Sequence, residues 1–203
     1  MEKSKLEIII DSVMDGTIGI EQVWQNYGEY IRNVDQVSSE PEALAWVGLN
    51  YRYGVKLAND GYQRDALSYF EGSYSALEKW KSFLSQDQYN NAIEAVLQSV
   101  AGVNSKLENY KGALPYIKQL KSLFPRKDEY RIAYADCLGS AIAKFTNPAY
   151  IIIAILFLLK MGESYIFGTK FIPGWLVDVG WVIWIIMLII QFGVPWIMKK
   201  FMK

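Results

Sequence analysis

Residues 179–198 read VGWVIWIIMLIIQFGVPWIM, and Gln191 is the one polar side chain among them. Wound as an α-helix at about 1.5 Å per residue, twenty residues reach about 30 Å, the thickness of a bilayer's hydrocarbon. Trp175, Trp181 and Trp184 stand toward one end and Trp196 at the other, as interfacial aromatics do in spanning helices. A chain of 203 residues has little material with which to wrap such a helix on every side. The segment is expected to cross a membrane.

A second apolar run precedes it. Asn147-Pro148 reads as a helix start, Asn as the cap and Pro in the first turn. Ala149 to Leu159 is apolar throughout but too short to span alone. Continuing to Gly168 supplies the length and takes in Lys160 and Glu163, which sit three apart on one helical face and can neutralise each other. Leading back to Leu138 is the other route, with Lys144 snorkelling to the surface. The expected division is 1–146 and 147–203, with spans at about 148–168 and 175–198 joined as a hairpin around Gly168 to Gly174.

Charge supports that division. The chain is neutral overall, with 21 basic and 21 acidic residues, but Met1 to Thr146 carries net −3 and Asn147 to Lys203 net +3. Lys199, Lys200 and Lys203 follow the last span, and Arg126, Lys127, Arg131 and Lys144 precede the first; the connection has Lys170 alone. The positive-inside rule then places both ends in the cytoplasm and the connection outside, at the cell's inner membrane. After MEKSK the apolar run is Ile8-Ile9-Ile10 before Asp11, too short for a secretory signal. A single cysteine, Cys137, suits a reducing compartment. Lys160, Glu163, Asp178 and Gln191 are the polar residues expected inside the spans. They tie the two helices together, join copies of the hairpin, or line a path for ions.

The front 146 residues read as helix after helix. Ser39-Glu-Pro-Glu42 is a capping box opening a helix through Ala58; Asn59-Asp60-Gly61 breaks it. Further helices are expected over Tyr62–Lys81, Ser85–Ser105, Tyr110–Phe124 and Asp128–Phe145, with shorter ones near Leu6–Met14 and Ile18–Arg32. Sliding the chain by 47 residues lays Ala66-Leu-Ser-Tyr-Phe70 on Ala113-Leu-Pro-Tyr-Ile117 and Ala45-Trp46 on Ala92-Ile93. A small residue beside large ones at helical spacing lets helices approach and interlock. Such pairs stack into solenoids because none buries its apolar face alone. The fold class expected is all-α: antiparallel helical hairpins in an α-solenoid, then two transmembrane helices.

Tyr110, Ala113, Ile117, Leu120 and Pro125 fit the second half of a tetratricopeptide repeat, and Gly61, Ala66 and Phe70 fit another. Residues 42–138 thus resemble that family, with helix pairs longer than its usual ones. The resemblance implies a protein-interaction scaffold whose first helices line a concave groove. Trp46, Asn50, Tyr53, Leu97 and Asn104 are then the groove candidates. The family's basic clamp for a C-terminal carboxylate needs Lys and Asn at set first-helix positions, and that set is absent.

Catalytic chemistry finds no foothold. With no histidine there is no Ser-His or Cys-His pair and no imidazole metal site. Asp60/Asp65 and Asp128-Glu129 are acidic pairs of the kind solvated helices carry routinely, and Gly16-Thr-Ile-Gly19 lacks the spacing of a phosphate loop. Cys137, in Ala-Asp-Cys-Leu-Gly, reads as a small core residue. No enzyme activity, cofactor, metal or nucleic-acid partner is expected. The leading expectation is a membrane-anchored adaptor that holds a protein or peptide partner at the cytoplasmic face. The alternatives are a membrane-active effector or channel component whose hairpins homo-oligomerise into a pore, and an accessory subunit of a transporter.

Overall fold

A computed structural model describes residues 3–162 and 173–201. The chain forms two compact units, Met1–Pro125 and Arg126–Lys203. Among the described residues every regular element is helical.

The first unit contains α1 (Lys5–Met14), α2 (Ile20–Arg32), α3 (Glu40–Asn59), α4 (Gln63–Lys79), a 3-10 turn at Lys81–Phe83, α5 (Gln86–Lys106) and α6 (Tyr110–Leu123). Polar caps set the starts. Ser4 with Glu7 and Ser85 with Gln88 form reciprocal capping boxes for α1 and α5. At α3 the box is incomplete: Ser39 accepts from the Glu42 amide, but the Glu42 carboxylate turns to Ser38, which offers both an amide and a hydroxyl. Asn109 caps α6 and also donates to Asn104 Oδ1 at 2.6 Å. Gly112 has to lack a side chain there, because a Cβ would fall 2.2 Å from Asn109 Nδ2.

Packing runs along the chain: α3 lies on α4, α4 on α5 and α5 on α6, while α1 and α2 close against α3. Contacts between successive hairpins reproduce the sequence offset. Ser99 on α5 donates to the Tyr51 hydroxyl on α3 at 3.3 Å, 48 residues away. Tyr74 on α4 donates to Gln119 on α6 at 3.0 Å and meets Tyr116 edge-on. First helices therefore touch first helices and second touch second, the arrangement of stacked helical hairpins. The core holds Leu49, Phe70, Leu77, Ile93, Val96, Leu97 and Val100. Each such side chain contributes about 1.5–3 kcal/mol by leaving water. Gly54 lets α3 and α4 close, since a Cβ would lie 2.8 Å from the Phe70 ring.

The second unit is a hairpin. One helix, α7, runs unbroken through Asp128–Gly162, and Pro148 sits inside it. Asn147-Pro148 is thus not a helix start; the helix that begins at Asp128 continues through it. Its 35 residues reach about 50 Å, beyond the width of a hydrocarbon core. The return helix is α8 (Gly174–Leu188), a π turn at Ile189–Gly193, and α9 (Val194–Phe201). Pro195 accounts for the π turn. Its missing N–H and bulky ring cannot continue the regular ladder, and the looser turn absorbs the mismatch.

The helices pair antiparallel in a definite register. Gly139 meets Pro195, where a Cβ would stand 3.2 Å from Pro195 Cγ; Thr146 Oγ1 reaches Gln191 Oε1 at 3.3 Å; Ile153 faces Gly180; and Phe157 packs on Trp181 at 4.9 Å. That register sets the apolar stretch of the return helix against α7 from near Leu138 onward. It favours the route that leads back to Leu138 over a start at Pro148, so Lys144 falls within the paired stretch. Both paired stretches are long and apolar enough to cross a membrane, and only 11% of the most apolar window is buried in each.

Candidate functional site

The five groove candidates separate in the structure. Leu97 and Asn104 occupy the face of α5 that is packed between α4 and α6, with exposures of 0% and 2%. Asn104 Nδ2 donates to the Val100 carbonyl at 3.0 Å and Oδ1 accepts from Asn109, so its polarity is spent on joining α5 to the α6 cap. Asn50 is likewise buried, donating to the Trp46 carbonyl at 2.9 Å. These three belong to the core and line no open groove. The tetratricopeptide resemblance put Leu97 and Asn104 in the groove, but the packing of α4 and α6 on α5 leaves both buried. Trp46 is half-buried: its Nε1 donates to the Ile31 carbonyl at 2.8 Å and its ring meets Trp80 edge-on at 5.3 Å. It fastens the end of α2 to α3 and α4. Tyr53 alone of the five lines one of the two concavities described below.

The first concavity is an open cleft of about 790 Å³ between the α1–α2 turn and the outer face of α3. Val13, Ile18, Ile20, Tyr51 and Val55 give it apolar walls, and Arg52, Lys56 and Asn59 edge it. Gly16 and Gly19 leave open space at the turn, where Gly16 takes a φ of +78° that favours glycine. Lys56 is held by Glu21 at 2.7 Å and by Asp60, two carboxylates that keep its ammonium well above the ordinary lysine range.

A smaller polar pocket of about 220 Å³ lies beyond Glu21, lined by Glu21, Trp24 and Gln25 of α2, Arg32 at its end, Tyr53 of α3 and Tyr69 of α4. Trp24 stacks on Tyr53 at 4.8 Å and meets Tyr69 edge-on at 4.9 Å, while Tyr53 and Tyr69 are edge-on at 4.9 Å. The three rings form one platform from three helices. The Arg32 guanidinium lies over Trp24 at 5.9 Å. Burial, then Tyr69 and Glu21, raise the Tyr53 hydroxyl above the usual tyrosine value. Trp24 Nε1 is buried with no acceptor. Sequence reasoning missed this pocket, although Glu21, Trp24, Gln25, Gly28 and Arg32 share one face of α2 at helical spacing.

In the hairpin, Gln191 accepts from Thr146 within the same chain. Thr146 Oγ1 also stands 3.1 Å from the Ile142 carbonyl, the back-bond of a helical threonine to the residue four before it. Lys160 lies half-buried near the end of α7, and Asp178 is exposed one turn into α8. Glu163 lies outside the described residues, as does Lys170. No group of His, Cys, Asp or Glu side chains able to hold a metal ion occurs among the described residues.

No protein-family description, no curated protein and no solved structure gives a significant match to this chain.

Proposed function

We propose that this chain is a membrane-anchored adaptor. Its hairpin crosses the inner membrane twice with both ends in the cytoplasm, and its helical-hairpin unit, a degenerate tetratricopeptide-like solenoid, holds a segment of a protein partner at that face. The observation that carries the reading is the joining, on one chain, of two apolar helices with uncovered flanks to a packed helical unit that bears an open apolar cleft. Holding a captured partner at the bilayer raises its local concentration without any chemistry.

The test places a photocrosslinking amino acid at Val55, inside the cleft, and separately at Arg64, exposed on α4, in the full chain in its native membrane. The reading predicts a discrete protein adduct from Val55, none from Arg64, and loss of the adduct when Ile18→Arg charges the cleft. The same adducts from both positions, or an adduct indifferent to Ile18→Arg, contradict it.

A pore built from several hairpins is the second reading, favoured by Asp178, an exposed carboxylate on an otherwise apolar helix. It predicts dye leakage from cells expressing the chain, abolished by Asp178→Leu. An intact barrier at high expression contradicts it.

A further inference from the structure

We infer that the polar pocket of α2, α3 and α4 receives the carboxylate of an acidic side chain on the captured segment, and so sets which segments the adaptor accepts. The inference rests on the adaptor reading and assigns it a specificity site.

Arg32, Gln25, Tyr53 and Tyr69 line this one concavity, and none of their side chains makes a hydrogen bond or ion pair among the described residues. Four side chains able to donate hydrogen bonds thus lie open to a ligand at a single pocket, beside the buried Trp24 Nε1, which has no acceptor. The guanidinium selects the acceptor. Glu21, the one carboxylate in the lining, shares the Lys56 ammonium with Asp60, and Arg32 is the one cation in the lining. A planar carboxylate matches the guanidinium fork, which pairs with it through two parallel hydrogen bonds. The guanidinium lies over the Trp24 ring at 5.9 Å. At about 220 Å³ the pocket admits one side chain. The adjoining apolar cleft lies across the Glu21–Lys56 bridge, so a segment carrying an apolar residue and an acidic one fills both.

The pocket can be read through its own indole. The full chain in detergent micelles, labelled with ¹⁵N-tryptophan and with the Trp24 signal assigned by Trp24→Phe, is titrated with the α-amide of N-acetylglutamate, whose one carboxylate is the side chain's, with the neutral N-acetylglutaminamide, and with inorganic phosphate. The Trp24 indole should shift saturably with the carboxylate and stay in place with the neutral amide. Arg32→Gln should weaken the response at least about tenfold, the loss of a charge-assisted pair, while the other indole signals hold position and report an intact fold. Arg32→Lys, which keeps the charge and loses the fork, should weaken it as well. A silent Trp24 signal, an equal shift with the neutral amide, a larger response to phosphate, or an undiminished response in both variants overturns the inference. A silent titration beside a cleft-dependent Val55 crosslink removes the pocket and leaves the adaptor; a Trp24 response without a Val55 adduct removes the adaptor, and with it the captured segment, and leaves a pocket that binds carboxylates.

Discussion

Phe70 and Ile155 are both large apolar side chains on helices rich in such residues, yet Phe70 is 2% exposed and Ile155 50%. In the first unit, alternation of apolar with polar positions gives each helix a face to hide, and hairpin stacks on hairpin until the faces are covered. In the second, Ile151, Ile152, Ile155, Leu158 and Leu159 on α7 and Ile183, Ile185, Ile186 and Ile189 on the return helix remain uncovered. The same side chains are thus hidden in one unit and displayed in the other. Water drives the first unit together, and the second leaves them uncovered on two helices long and apolar enough to cross a membrane.

That contrast is broken most easily by truncating matched side chains. Phe70→Ala should cost about 3–5 kcal/mol in chemical denaturation of the full chain in detergent, the usual result of emptying a closed site. Ile155→Ala should cost well under about 1 kcal/mol, because little surrounds it. Comparable losses would mean that the hairpin is a buried soluble core. Glycine offers a sharper version. Gly54→Ala drives a methyl into the Phe70 ring and should lose about 1–3 kcal/mol despite the better helix propensity of alanine. A more stable variant would show that α3 and α4 part readily.

A pH scan probes the packed unit alone. Burial and the hydrogen bond to Glu78 raise the Tyr89 hydroxyl above its ordinary value near 10. Its neutral form is therefore favoured in the folded state. The stability it contributes is fully present below pH 10 and is lost as pH rises above that value. Denaturation midpoints should fall over that window, less steeply in Tyr89→Phe; identical slopes would dismiss the tie to Glu78. The smallest effect belongs to the hairpin: Gln191→Leu should cost about 0.6 kcal/mol, typical of a polar contact between membrane helices. A loss of several kcal/mol would place Gln191 in a larger polar network.

Helix order and the two long apolar helices were legible because each rests on periodicity or on caps that act locally. Asn147-Pro148 misled for a physical reason. Proline in the first turn of a helix and proline inside a long membrane helix leave the same local trace, and only the pairing of α7 with α9 distinguishes them. Asn50, Leu97 and Asn104 were misplaced because the resemblance assigned the first helices to a concave groove, whereas in this chain these three side chains are buried in the packing. The polar pocket was hidden more deeply. Its residues come from three helices, from Glu21 to Tyr69, and line one pocket only once those helices are packed.

Impermeant maleimide labelling of sealed cells expressing the full chain, in a Cys137→Ser background, tests the two-unit account most directly. A cysteine at Lys170, in the expected outer connection, should label without permeabilisation. A cysteine at Asp87, exposed on α5, should label only after it. Labelling of Asp87→Cys in sealed cells, or release of the chain from membranes by alkaline carbonate, would contradict a cytoplasmic helical unit held by a membrane-spanning hairpin.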